Sequence, residues 1–125
     1  MENNIGEIIL YCSGTQPDLK FGAECVRCIH VIENKWRDIG YNYVIQMNGA
    51  IEHCKMPDGT IRICLAGGLS KLGLPESNFT EEQLQSAQLL ISSLVSVYPS
   101  ITKLSAHDDY DYSTLKLHEQ QGAGI

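Results

Sequence analysis

The sequence predicts an α/β domain, a single mixed β-sheet with helices packed on it. Three observations carry that prediction. A short β-branched run near the start, EIILYC, stops at Ser13 and Gly14. Two later strand-like runs, YNYVIQM and TIRICLAGG, are separated by turn signals. A long amphipathic stretch with a helix-start signal then precedes a last strand-like run, ITKLSA. Strands and helices that alternate along a chain bury their apolar faces as a sheet and its covering layer. With 125 residues, the chain is expected to form one domain spanning 1–125, since this length buries one core but does not divide into two.

Taken in order, residues 7–12 read as a buried strand, because the run is apolar, β-branched and closed by small turn-forming residues. A loop containing Pro17 and Asp18 follows, and FGAECVRCIHVIENKW has helical spacing from about Phe21 to Trp36. In YNYVIQM, Tyr41, Tyr43 and Ile45 alternate with Asn42, Val44 and Gln46. Asn48 and Gly49 then form a strong hairpin signal. Pro57, Asp58 and Gly59 mark another turn. TIRICLAGG then places Ile61, Ile63 and Leu65 on one strand face and Arg62 and Cys64 on the other. The clearest helix starts at Thr80, where Gln83 completes a capping box and Glu81 and Glu82 lie at the positive end of the helix dipole. Leu84, Ala87, Leu90 or Ile91, Leu94 and Val97 recur at helical spacing until Pro99.

Composition narrows the function classes. Hydrophobic residues make up 43% and charged residues 19%, as in an ordinary soluble globular protein. No apolar run reaches the roughly 18 residues of a membrane span, and MENNIGEIIL lacks the basic start and cleavage site of a signal peptide. Cytoplasmic residence and no membrane partner are therefore expected. A net charge of -6 argues against general nucleic-acid binding, which needs clustered Lys and Arg. It leaves room for a pocket that takes one small anion.

Five cysteines, at positions 12, 25, 28, 54 and 64, are an odd number without secretory context, so reduced thiols are expected. Cys25 and Cys28 form a CxxC, but there is no second pair, and helical spacing puts both on one face as small hydrophobes. His53 beside Cys54 reads as a strand end, and His30 as a helix residue without a partner ligand. The cluster HDDYDY lacks the glycine and ligand positions of an EF-hand loop and reads as a solvated acidic turn.

Five segments in order, EIILYCSGT, IGYNYVIQMNGAIE, IRICLAGG, NFTEEQLQSAQLLISSLVSVYPSIT and SAH, resemble the type 2 N-acetylmuramoyl-L-alanine amidases, whose fold is shared with peptidoglycan recognition proteins. The resemblance covers roughly residues 7–107 and implies a shortened version of that fold, with 108–125 as a divergent tail. The family's enzymes cut the bond between the lactyl group of muramic acid and L-alanine through a zinc ion with three protein ligands and an activated water. By the resemblance, the first ligand position is Tyr11 rather than histidine, the second is His107, and the third falls in DDYDYSTLKL near Ser113 and Leu115. The strand tyrosine that family members place near the metal is matched by Tyr41, and the histidine that usually follows it is Asn42. The segment HCKMPDGT replaces a longer loop that helps line the family's substrate groove.

One histidine does not hold a hydrolytic zinc. The resemblance therefore implies a catalytically inactive amidase-like protein, from a phage or bacterium, that uses the remodelled cleft to bind or sequester a small ligand. The ligand classes it leaves open are a muropeptide and a nucleotide immune signal, the latter serving anti-defence. The ligand-binding residues would be Tyr11, Tyr41, Asn42 and His107, with Tyr110 or Tyr112 converging on them, and no cofactor would be required. Filling of the vacated cleft by its tyrosines is the structural alternative. Three further readings remain open. One is a zinc amidase with non-standard ligands, such as His107, His118 and Cys12. Another is a Cys12 nucleophile beside His107. The third is a protein-interaction regulator, since some phage amidases also restrain a polymerase. Homo-oligomerisation is compatible with all of them.

Overall fold

The structure, a computed structural model, describes residues 5–15, 40–108 and 110–117. The helix predicted over 21–36, with Cys25, Cys28 and His30, lies outside the described residues, as does His118. Strand β1 spans Glu7–Cys12, β2 Tyr43–Ile45, β3 Ile51–His53, β4 Thr60–Leu65 and β5 Lys103–Ala106; helix α1 spans Glu81–Val97. They form a mixed sheet of order β3-β2-β4-β1-β5, in which only β2 and β3 run antiparallel. This is the α/β architecture that the sequence predicts.

The two faces of the sheet have different roles. Ile8 and Leu10 of β1, Ile45 of β2 and Ile61, Ile63 and Leu65 of β4 pack with Ala87, Ile91 and Leu94 of α1 in the main core. These are the alternate strand positions and, as far as Leu94, the helical stripe expected from the sequence, and their burial is the chief stabilising term; Val97, expected on the same stripe, is 66% exposed in the last turn. On the opposite face, buried Val44 and Cys64 form a smaller cluster with Tyr11, Tyr41 and Cys54.

Helix α1 begins as its capping box requires. The Thr80 hydroxyl accepts from the Gln83 N–H at 3.0 Å, and the Gln83 side chain accepts from the Thr80 N–H at 3.1 Å. Thr80 also donates to the Met47 carbonyl, which fixes the helix start against the β2–β3 turn. Replacing Thr80 with alanine is expected to cost about 1–2 kcal/mol, read as a lower urea midpoint in circular dichroism. A loss below about 0.3 kcal/mol would mean that this cap does not form in solution.

Two local features differ from the sequence expectation. The β2–β3 connection turns over Gln46–Gly49 rather than at Asn48 and Gly49 alone: the Gly49 N–H donates to Gln46 O, and Gly49 takes a φ of 90°. A side chain there would meet Glu82 O and Ser86 Oγ at 3.1 Å, so the turn is seated on α1. The segment 110–117 also supplies core: Tyr112 and Leu115 are buried, and Phe79 stacks on Tyr112 at 5.3 Å.

Candidate functional site

On the face opposite α1, Tyr11, Cys12, Gly40, Tyr41, Arg62 and His107 line a cleft of about 490 Å³. Tyr11 reaches it because Ile8 and Leu10 point toward α1 and the next position must point away. His107 follows β5, and its N–H donates to Leu10 O at 2.8 Å. This sets the imidazole over Tyr11, with centroids 4.6 Å apart and planes at 27°. Tyr41 lies on the other side of Tyr11, at 5.1 Å and tilted by 55°. Three rings thus form a row across the sheet, in the offset and tilted arrangements that aromatic quadrupoles favour.

Strand alternation predicts Tyr41 on the same face as Tyr43 and Ile45, but Tyr41 packs with Val44 and Cys64 on the other face. Asn42 is the cause. Its Oδ1 accepts from the Arg62 N–H at 2.7 Å, and its Nδ2 donates to Lys55 O and Met56 O, both at 3.2 Å. Its own N–H donates to Arg62 O at 2.8 Å. A side-chain carbonyl stands in for a strand carbonyl, and the face alternation is reset just before β2. The Asn42 amide is buried among backbone groups, so the structure brings Tyr11, Tyr41 and His107 together and leaves Asn42 behind them as their support.

Tyr110 and Tyr112 do not join the row. The Tyr110 hydroxyl donates to Gly68 O at 2.7 Å, and that of Tyr112 donates to Asp108 Oδ1 at 2.8 Å. Asp108 also accepts from the Cys12 N–H at 3.1 Å. HDDYDY is thus not wholly a solvated turn, since Asp108 fastens the final segment to the end of β1. Asp111 does face solvent, and its hydrogen bonds with Ser113 lower its pKa. His53 stacks on Tyr43 at 4.9 Å, away from the cleft.

The thiols here are weak nucleophiles. Burial, then the Asp108 carboxylate, pushes the Cys12 thiol up to about 11. Burial raises Cys64 well above its ordinary value, and burial followed by the neighbouring Cys64 raises Tyr41. Cys12 should therefore react with iodoacetamide at pH 8 about 100-fold more slowly than a thiol of ordinary pKa, because the thiolate is the reactive species. Its rate should still be climbing at about pH 10. Site-resolved mass spectrometry reads both, and a rate that levels off near pH 9 would contradict the assignment.

The donor set also bears on zinc. Of the three ligand positions that the resemblance implies, His107 is an imidazole, Tyr11 is a phenol, Ser113 is bonded to Asp111, and Leu115 is buried in the core. Among the described residues, no three His, Cys, Asp or Glu side chains gather into a metal-holding group. These residues do not fit a hydrolytic zinc, which needs three protein ligands.

Arg62 is the charged cleft residue that the sequence reading did not assign to the site. Its signal was present: a lone charge in the apolar strand TIRICL, on the face opposite Ile61 and Ile63. A larger hollow of about 720 Å³ lies beside α1, walled by residues such as Phe79, Leu84, Leu89 and Leu115.

The sheet order, the single described helix on one face and the cleft on the other define the fold of N-acetylmuramoyl-L-alanine amidases and peptidoglycan recognition proteins. The structure of the amidase LysCS from Clostridium intestinale superposes with a TM-score of 0.65 at 22% identity, covering 90% of this chain and 74% of that one. The human peptidoglycan recognition protein Iβ C-terminal structure, in complex with glycosamyl muramyl pentapeptide, has a TM-score of 0.63 at 22% identity, covering 91% and 77%. In sequence, the chain is 33% identical to the endolysin of Enterobacteria phage T3 over 113 residues, 82% of this chain and 74% of that relative. No protein-family model matches the sequence. The chain belongs to the phage endolysin family of the N-acetylmuramoyl-L-alanine amidase and peptidoglycan recognition type.

Proposed function

We propose that this protein binds a muropeptide in the Tyr11–Tyr41–His107 cleft and does not hydrolyse it. The observation that carries this reading is the row of three rings; by the sequence resemblance, Tyr11 stands where the amidases have a metal-ligating histidine. Aromatic faces combined with a few directed polar groups suit a sugar-bearing ligand. No described residue bonds to the Tyr11 hydroxyl or the His107 ring nitrogens. Membership of the endolysin family and the muramyl pentapeptide bound to the human fold relative favour a peptidoglycan fragment over other sugars.

Calorimetric titration with a disaccharide muramyl pentapeptide tests this proposal, together with chromatography of the same mixture in the presence of zinc. Binding without release of free peptide is expected. Tyr11→Ala should weaken binding about tenfold or more, equivalent to roughly 1.4 kcal/mol. His107→Ala should weaken it as well, while changing stability by less than about 0.5 kcal/mol because the imidazole is exposed. Released peptide would make the protein an amidase with ligands beyond the described set. Absence of binding would make the cleft a filled remnant.

A further inference from the structure

We infer that Arg62 makes the cleft selective for an anionic group, so that the part of the ligand seated beside Tyr41 carries a carboxylate or a phosphate. This inference rests on the cleft being a binding site and adds the chemistry that it reads.

Arg62 lies on β4, flanked by β1 and β2, where a charge is out of place unless it has a use. Its backbone is fully occupied, with the N–H donating to Asn42 Oδ1 and the carbonyl accepting from the Asn42 N–H. Its position in the strand therefore does not depend on the side chain. No hydrogen bond or ion pair joins the guanidinium to another described residue. Asp108, the carboxylate bound to the end of β1, already accepts from the Cys12 N–H and the Tyr112 O–H. Half-buried Arg62 thus stands in the wall of the cleft with no described partner for its guanidinium donors. Those donors form a planar fork that matches a carboxylate or phosphate in bidentate geometry. On a chain of net charge -6, Arg62 is the one Lys or Arg among the described residues that line this aromatic cleft, and it favours the approach of an anion there.

The test uses two matched pairs of probes by calorimetry: N-acetylmuramoyl-L-alanyl-D-glutamate against its diamide, and AMP against adenosine. In the unmodified protein, at least one anionic probe should bind about tenfold or more tightly than its neutral partner, as expected for a charge-assisted bidentate contact. Arg62→Gln should remove that preference by weakening the anionic probe more than its neutral partner. Arg62→Lys, which keeps the charge but loses the fork, should retain only part of it. The pair that shows the preference tells whether the anion is a peptide carboxylate or a nucleotide phosphate. If probes bind but neither anionic probe binds better than its neutral partner, or the preference survives in Arg62→Gln, the role of Arg62 is overturned and the binding cleft stands. If neither member of either pair binds, the cleft itself is overturned.

Discussion

Asn42→Ala is expected to lower stability by about 2–4 kcal/mol, because three backbone groups lose their partner together: the Arg62 N–H and the Lys55 and Met56 carbonyls. Domains of this size are stable by only about 5–15 kcal/mol, so the urea midpoint should fall markedly. The specific readout is hydrogen exchange at the Arg62 amide, which should accelerate more than exchange at Ile61 or Ile63. Asn42→His restores the residue usual in the family at this position but should not rescue the fold. An imidazole offers one donor and one acceptor in a fixed geometry, whereas the amide uses two donor bonds and one acceptor bond at once. Asn42→Asp keeps the acceptor for Arg62 yet turns a carboxylate toward two carbonyls, so it too should destabilise. A loss below about 1 kcal/mol in the alanine variant would mean that the amide is dispensable, and the placement of Tyr41 would need another cause.

That residue also shows what was legible in the sequence. The sheet was readable because its signals are local: β-branched runs closed by Gly, Pro and Asn, and a capping box that announces α1 one residue before it begins. The inward stripe of α1 was readable because Ala87, Ile91 and Leu94 follow the helical period. The cleft was legible only in part. Tyr11, Tyr41 and His107 were found through resemblance, and the structure places their rings together. The face of Tyr41 was read wrongly from alternation, since Asn42 spends its side chain as a strand carbonyl, a tertiary event with no local signature. Arg62 was noticed as an outward residue, but its meaning depended on which groups face it. The capture of Asp108 by Cys12 and Tyr112 joins residues 96 apart in sequence and was equally invisible to spacing. Polar pairing across the fold is the part that hydrophobic periodicity does not encode.

The other large effect is expected at Gln83, which is buried completely in the first turn of α1. Its Nε2 donates to Ile45 O at 2.9 Å and to Ala66 O at 2.8 Å, while its Oε1 closes the capping box. One amide thus ties the start of the helix to the carboxyl ends of β2 and β4. Tyr11 and His107 also sit toward the carboxyl ends of the parallel strands, where open α/β sheets place their ligand crevices. Gln83→Leu keeps most of the volume but leaves the Ala66 carbonyl and the Thr80 N–H without these partners, and should cost about 2–4 kcal/mol. The Ile45 carbonyl suffers less, because it also accepts from the Ala66 N–H. Gln83→Glu should cost more at neutral pH, since a buried carboxylate would face two carbonyl oxygens. Burial would raise the folded-state pKa of that glutamate above its unfolded value, so the variant should gain stability as pH falls and lose it as pH rises through the folded value. Parallel urea titrations at several pH values separate the cases: the leucine variant should track the unmodified protein at a constant offset, and the glutamate variant should converge on it in acid. A glutamate variant whose offset does not change with pH would show that the side chain has swung out to water and that the strand carbonyls do not require it.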